Sequence, residues 1–200
     1  MSDTVIEPAV ENTPVAFTQD KIGWTPWLQP LAEIELTDRH YEALVDKARA
    51  KSGYFALLVR DPDILEARTK TDNDIFYNTK DGLPRAEREL AATAASRLNG
   101  CILCASVHSR FASQYSKREA DVQKLLDEGV GADLGERWNA IVSASVALST
   151  TPPSFTSDHA KRLREAGLSN EEISDVVHGA AFFNWANRLM LSIGEPTPAS

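Results

Sequence analysis

Asn99-Gly100-Cys101-Ile102-Leu103-Cys104-Ala105-Ser106-Val107-His108 is a helix stop followed at once by a helix start. Asn-Gly supplies a left-handed terminus. The residues after it place polar and apolar side chains at helical spacing. On a helix, Cys101 and Cys104 lie one turn apart, and His108 lies one turn beyond Cys104 on the same face. Phe111 and Tyr115 continue that stripe with steps of 3, 4, 3 and 4. The stripe is expected to face inward, with the thiols at or just under the mouth of a pocket. Asn99-Gly100 puts both cysteines in the first turn, where free backbone N–H groups and the helix dipole favour a thiolate. A free thiol titrates near ~8.5, and such a position lowers that value. The chain has only 2 cysteines, and both are here. Two thiols able to join, with an imidazole beside them, are the minimum for thiol redox chemistry.

Outward from this stretch the chain reads as helix after helix. Pro84 opens a helix running to Leu98. Asp61-Pro62 is an N-cap followed by proline at the first helical position. Tyr41, Leu44, Val45 and Ala48 form an i, i+3, i+4, i+7 stripe. Ser116 to Glu119, Asp133 to Glu136 and Ser169 to Glu172 have capping-box spacing. Gly129, Gly167 and Gly194 fall at helix ends. No run of alternating β-branched residues marks a strand, so no sheet is expected. The fold class is all-α, one multi-helix domain over residues 36–200 with roughly seven or eight helices. Residues 1–35 are different. Pro8, Pro14, Pro26 and Pro30 interrupt any helical period, and this segment reads as an extended, partly loose arm. Trp24, Trp27 and Leu28 would anchor it on its own domain or on a second subunit.

Composition narrows the function. A net charge of −8 with no basic cluster argues against nucleic acid or anionic membrane as partners. Residues 176–191 are apolar but contain His178, Asn184, Asn187 and Arg188, a poor bilayer span. The N-terminus has neither the basic nor the apolar region of a signal peptide. The chain therefore reads as cytoplasmic, where an isolated C-x-x-C is catalytic or metal-binding rather than a structural staple. Zinc would need a further ligand from His40, His159 or His178. No metal or cofactor is expected. The residues 180–191 are apolar on more than one face, which together with the tryptophan-bearing arm points to a homo-oligomer.

Glu89 stands before this stretch to give E-x11-C-x2-C-x3-H. This pattern, with Arg88-Glu89-Leu90 and Leu98-Asn99-Gly100-Cys101 around it, resembles the active-site motif of the alkyl hydroperoxidase D family, within the carboxymuconolactone decarboxylase-like superfamily. The arm and the run Ala181-Phe-Phe-Asn184-Trp-Ala-Asn187-Arg188-Leu resemble its peroxidase-related branch. The resemblance implies an all-helical homo-oligomer that reduces small-molecule hydroperoxides and draws electrons from a dithiol reductant protein. It implies that Cys104 attacks the peroxide, that Cys101 resolves the sulfenic acid to a disulfide, and that Glu89 and His108 relay the proton. Leu103 departs from the family's frequent histidine before the second cysteine, which removes one polar group from the fuller relay. Spacing alone makes Glu87 a rival to Glu89, because Glu87 lies nearer the apolar face of Leu90, Ala91, Ala94 and Leu98. A further reading places both carboxylates on a solvated surface with Arg85 and Arg88. The alternative function is a redox-sensing or ligand-binding homo-oligomer that keeps the thiol pair but turns over little.

Overall fold

A computed structural model describes residues 4–7, 13–78 and 80–198. In chain order the elements are β1 (Gly23–Pro26), α1 (Asp38–Leu44), α2 (Gly53–Leu58), α3 (Pro62–Tyr77), α4 (Arg85–Asn99), α5 (Ile102–Ser116), α6 (Glu119–Glu128), α7 (Glu136–Ser149), α8 (Ser157–Glu165), α9 (Asn170–Ile193) and β2 (Gly194–Thr197). The all-α class holds. The chain divides into two compact units. One comprises Ile22–Asp74 with the described parts of both chain ends, and the other comprises Val15–Lys21 with Ile75–Leu189.

In the first unit, β1 and β2 form an antiparallel pair in which Trp24 faces Pro196 and Pro26 faces Gly194. This corrects the expectation of no sheet. Four-residue strands carrying Pro26 and Pro196 show no β-branched alternation, so nothing in the pattern announces them. Close packing holds them: a side chain on Gly194 would meet the Trp24 ring at 2.2 Å and the Thr25 carbonyl oxygen at 2.5 Å. Trp24 in turn meets Tyr54 edge to face at 5.7 Å. A small core of Ala43, Leu44, Val59 and Leu65 lies in the same unit. The Tyr41 to Ala48 stripe is not one helix. Helix α1 ends at Leu44 and Val45 turns left-handed at φ 65°. Asp46 then accepts from the Ala48 N–H and starts a 3-10 turn over Lys47–Lys51.

The second unit is built around α4. Its Ala91, Ala92, Ala94 and Ala95 are fully buried. These small side chains let neighbouring helices approach closely, and α4 packs on α5 and α7. Leu90, Ala91 and Ala94 join Val122, Leu125, Trp138, Ile141, Leu163 and Val176 in one core. Arg88 is buried, and its fork donates to the carbonyls of Leu83, Ile75 and Asp81 while pairing with Asp175 at 2.8 Å. It ties down the turn that enters α4. The arm segment before Ile22 lies on this unit: Ser106 donates to the Asp20 carbonyl, Ser113 to Gln19, and Arg97 sits 4.2 Å from the Phe17 ring centroid.

Three sequence-read helix starts compare differently with the structure. Ser169 and Glu172 exchange the capping-box hydrogen bonds at the start of α9. Ser116 does not cap α6; it ends α5 and accepts from the Arg118 N–H after Lys117 turns left-handed. Asp133 sits outside α7, where it holds the Gly135 N–H and the Asn139 side chain. Short polar side chains favour such turns as readily as caps, so spacing alone does not separate the two. Gly194→Ala is expected to destabilise the β1–β2 unit by about 1–3 kcal/mol, the usual cost of overpacking. Thermal unfolding checks this, and an unchanged midpoint would show that Trp24 moves aside freely.

Candidate active site: a thiol pair and a buried charge chain

Gly100 ends α4 in the left-handed region at φ 81°. The chain then reverses, and Cys101 takes the N-cap position of α5 in extended conformation. The helix thus starts one residue later than its sequence suggests. Cys104, not Cys101, occupies the first turn. The two thiols are free and buried, and their sulfurs lie 2.7 Å apart. Cys101 is the deeper, at 2 % exposure against 7 % for Cys104.

The Cys101 thiol is held below its ordinary titration value. The largest cause is hydrogen bonding from the Cys104 thiol; burial opposes it; the Cys104 backbone N–H and the Asn187 side-chain amide add to it. Asn187 is itself fully buried. It donates to Ser96 Oγ at 3.0 Å and accepts from Asn99 Nδ2 at 3.1 Å. Asn99 Nδ2 also reaches Asn184 Oδ1 at 3.1 Å. So α9 delivers an amide network to the thiols. Of the four polar residues read on that helix, Asn187 meets Cys101, and Asn184 supports it through Asn99. Arg188 turns outward to Thr151 and His178 is exposed.

His108 lies one turn beyond Cys104 on α5. Its ring is flanked by Phe183 at 4.0 Å and Phe76 at 5.2 Å between centroids. Its Nδ1 meets Glu89 Oε2 at 2.5 Å. Glu89 is fully buried, and its other oxygen accepts from Arg85 Nε at 2.7 Å and pairs with Arg85 Nη2 at 2.5 Å. Burial works against the Arg85 charge, but Glu89 and then Tyr77 outweigh it and hold the guanidinium protonated more firmly than usual. Glu87 goes elsewhere: both its oxygens accept from Arg137 at 2.8 Å. Neither carboxylate is on a solvated surface, and neither are Arg85 and Arg88. Both Glu87 and Glu89 are buried on opposite sides of a helix that is covered nearly all round, so the apolar-face count could not choose between them. His40 and His159 each accept the backbone N–H of the residue capping their own helix. Among the described residues no group of three or more His, Cys, Asp and Glu is gathered as a metal site.

Sequence reasoning missed Arg85, Phe76 and Phe183. Arg85 had a signal: R-x-x-x-E at i, i+4 is an ion-pair spacing. The two phenylalanines had none, since their approach to His108 is a tertiary contact.

Residues 62–147 match the carboxymuconolactone decarboxylase family. A peroxidase-related protein of Ralstonia eutropha JMP134, described as an alkylhydroperoxidase core, superposes with a TM-score of 0.68 at 25% identity, covering 82% of this chain and 88% of its own. A peroxidase-related protein of Silicibacter sp. TM1040 gives 0.64 at 20% identity, with 91% and 90% covered. The debrominase Bmp8 gives 0.64 at 18% identity, with 82% and 87% covered. No curated protein matches the sequence. The helical fold is that of the alkyl hydroperoxidase D-like, carboxymuconolactone decarboxylase-like superfamily. No described helix is long and apolar enough to cross a membrane.

Because the Cys104 thiol is the chief cause of the lowered Cys101 value, Cys104→Ala removes the donor and leaves the burial. Cys101 is then expected to titrate higher than in the parent protein, read by thiolate absorbance against pH. A lower or unchanged midpoint would mean that the Cys104 thiol does not stabilise the Cys101 thiolate.

Proposed function

We propose that this protein is a peroxide-reducing thiol oxidoreductase that cycles Cys101 and Cys104 between dithiol and disulfide. The observation that supports it most is the contact of its two sulfurs beside the buried Glu89–His108 pair. His108, with Nδ1 held by Glu89, takes the Cys104 proton at Nε2. The Cys104 thiolate attacks the hydroperoxide: an S–O bond forms, the O–O bond breaks, and the departing alkoxide takes a proton from His108 and leaves as the alcohol. The Cys101 thiolate then attacks the Cys104 sulfur. The S–S bond forms, the S–O bond breaks, and the oxygen leaves as water with the proton that the Cys101 thiol gave up. The peroxide gains two electrons and the two thiols lose them. An external dithiol returns the electrons by attacking the less buried Cys104 sulfur, with Cys101 leaving as its stabilised thiolate, since a lower thiol pKa makes a faster leaving group.

The partners in this reading are a small-molecule hydroperoxide, a dithiol reductant protein and a further copy of the chain. Trp185, exposed on α9 at 43 %, supports the last. A reducing compartment such as the cytoplasm would keep the resting pair as thiols. No cofactor takes part.

Purified protein is expected to consume an organic hydroperoxide over many cycles when a dithiol is supplied. His108→Ala and Glu89→Gln are each expected to slow this by about 10²–10⁴-fold, the usual range for losing a positioned acid–base group. Glu87→Gln should keep the rate. One oxidation per chain without turnover would instead fit a redox sensor. In Cys101→Ser, mass spectrometry should find Cys104 as a sulfenic acid; an unmodified Cys104 would reverse the roles of the two sulfurs. Light scattering at micromolar concentration should give a mass above the monomer.

A further inference from the structure

Glu89 has no exposed surface, and an isolated carboxylate in such a place would take up a proton rather than stay charged. Two groups reach it. His108 takes one oxygen, and Arg85 takes the other through two of its nitrogens. A third nitrogen of the same guanidinium donates to the Phe76 carbonyl near the end of α3. Rings surround the guanidinium carbon, Tyr77 at 4.4 Å, Tyr115 at 5.2 Å, Phe76 at 5.4 Å and Phe111 at 5.6 Å from their centroids. The Arg85 side chain is only 11% exposed. Its charge therefore acts on Glu89 through a poorly screened medium.

We propose that Arg85 is the positioning residue of the proton relay: its fork holds the buried Glu89 carboxylate against His108 Nδ1, so that the ring can take the Cys104 proton. This rests on the thiol–imidazole relay proposed above. Without Arg85, a carboxylate with no exposed surface takes up a proton and no longer supports the positive ring that forms when His108 accepts the thiol proton. His108 meets Glu89 from α4, Phe76 from the end of α3 and Phe183 from α9, with Cys104 one turn back on its own helix; Arg85 meets Glu89, Tyr77 and Tyr115. Arg85 is the cation nearest the carboxylate that holds the ring. Lysine would keep the charge but lose the fork that grips both Glu89 and the Phe76 carbonyl.

The test is the rate of Cys104 iodoacetamide alkylation against pH, followed by peptide mass spectrometry, which needs no peroxide. Arg85→Gln is expected to move the profile to higher pH by about one unit or more, the scale of losing a close opposite charge. Arg85→Lys should move it much less. In a His108→Ala background, Arg85→Gln should cause no further shift. A merely structural role would lower the unfolding temperature while leaving the profile in place, or would shift it equally with and without His108; either result overturns the assignment. If His108→Ala alone alkylates like the parent protein, there is no relay, and the assignment falls with it. A slow His108→Ala with an unshifted Arg85→Gln overturns the role of Arg85 alone.

Discussion

A buried carboxylate organises the site. Glu89 sits where no water reaches it, held between the guanidinium of Arg85 and the imidazole of His108. Taking a charge out of water costs several kcal/mol even after relaxation, so such a group persists only with excellent partners. Those partners come from different places. Arg85 is one helical turn back on α4, and His108 is on α5. The alanine-rich face of α4 allows α5 to lie close enough for the two side chains to meet. The aromatic rings of Phe76, Phe183, Phe111 and Tyr115 then close the surroundings. Helix packing and chemistry are thus one problem here: a bulkier α4 would separate the carboxylate from the ring.

The two sulfurs are inequivalent for reasons that lie outside their own sequence. Gly100 sends Cys101 to the cap of α5 and Cys104 into its first turn. Asn187, brought by α9 and fixed by Ser96 and Asn99, then meets the deeper sulfur. One sulfur has an amide and a neighbouring thiol to steady its negative charge. The other has an imidazole one turn away and more contact with the outside. That division suits a cycle in which one sulfur meets outside reactants and its partner closes and opens the bond.

The legible parts of the sequence were those governed by local rules. Pro62, Pro84, Gly100, Gly129 and the Ser169–Glu172 pair mark helix ends because caps and left-handed turns act over a few residues. The spacing from Glu89 to His108 could be seen, but its meaning came from a resemblance, since both faces of α4 are covered and periodicity could not separate Glu87 from Glu89. What stayed hidden depends on distant contacts. The β1–β2 pair relies on Trp24 lying against Gly194. The environment of His108 relies on Phe76 and Phe183, far apart in the chain. Val45 breaks an apolar stripe that reads as continuous, because a β-branched residue gives no warning of a left-handed turn.

The same helical fold serves a protein known as a debrominase as well as proteins described as peroxidase-related, so the fold alone does not choose the reaction. The proposed reaction rests on the thiol pair. The most direct measurement is the intact mass of the reduced protein after one equivalent of an organic hydroperoxide, with free thiols counted before and after a dithiol is added. The expected result is loss of two hydrogens, no alkylatable cysteine, and full return of both thiols on reduction. Two thiols still free after peroxide is supplied, or a stable oxygen adduct in place of the disulfide, would contradict a cycle between Cys101 and Cys104.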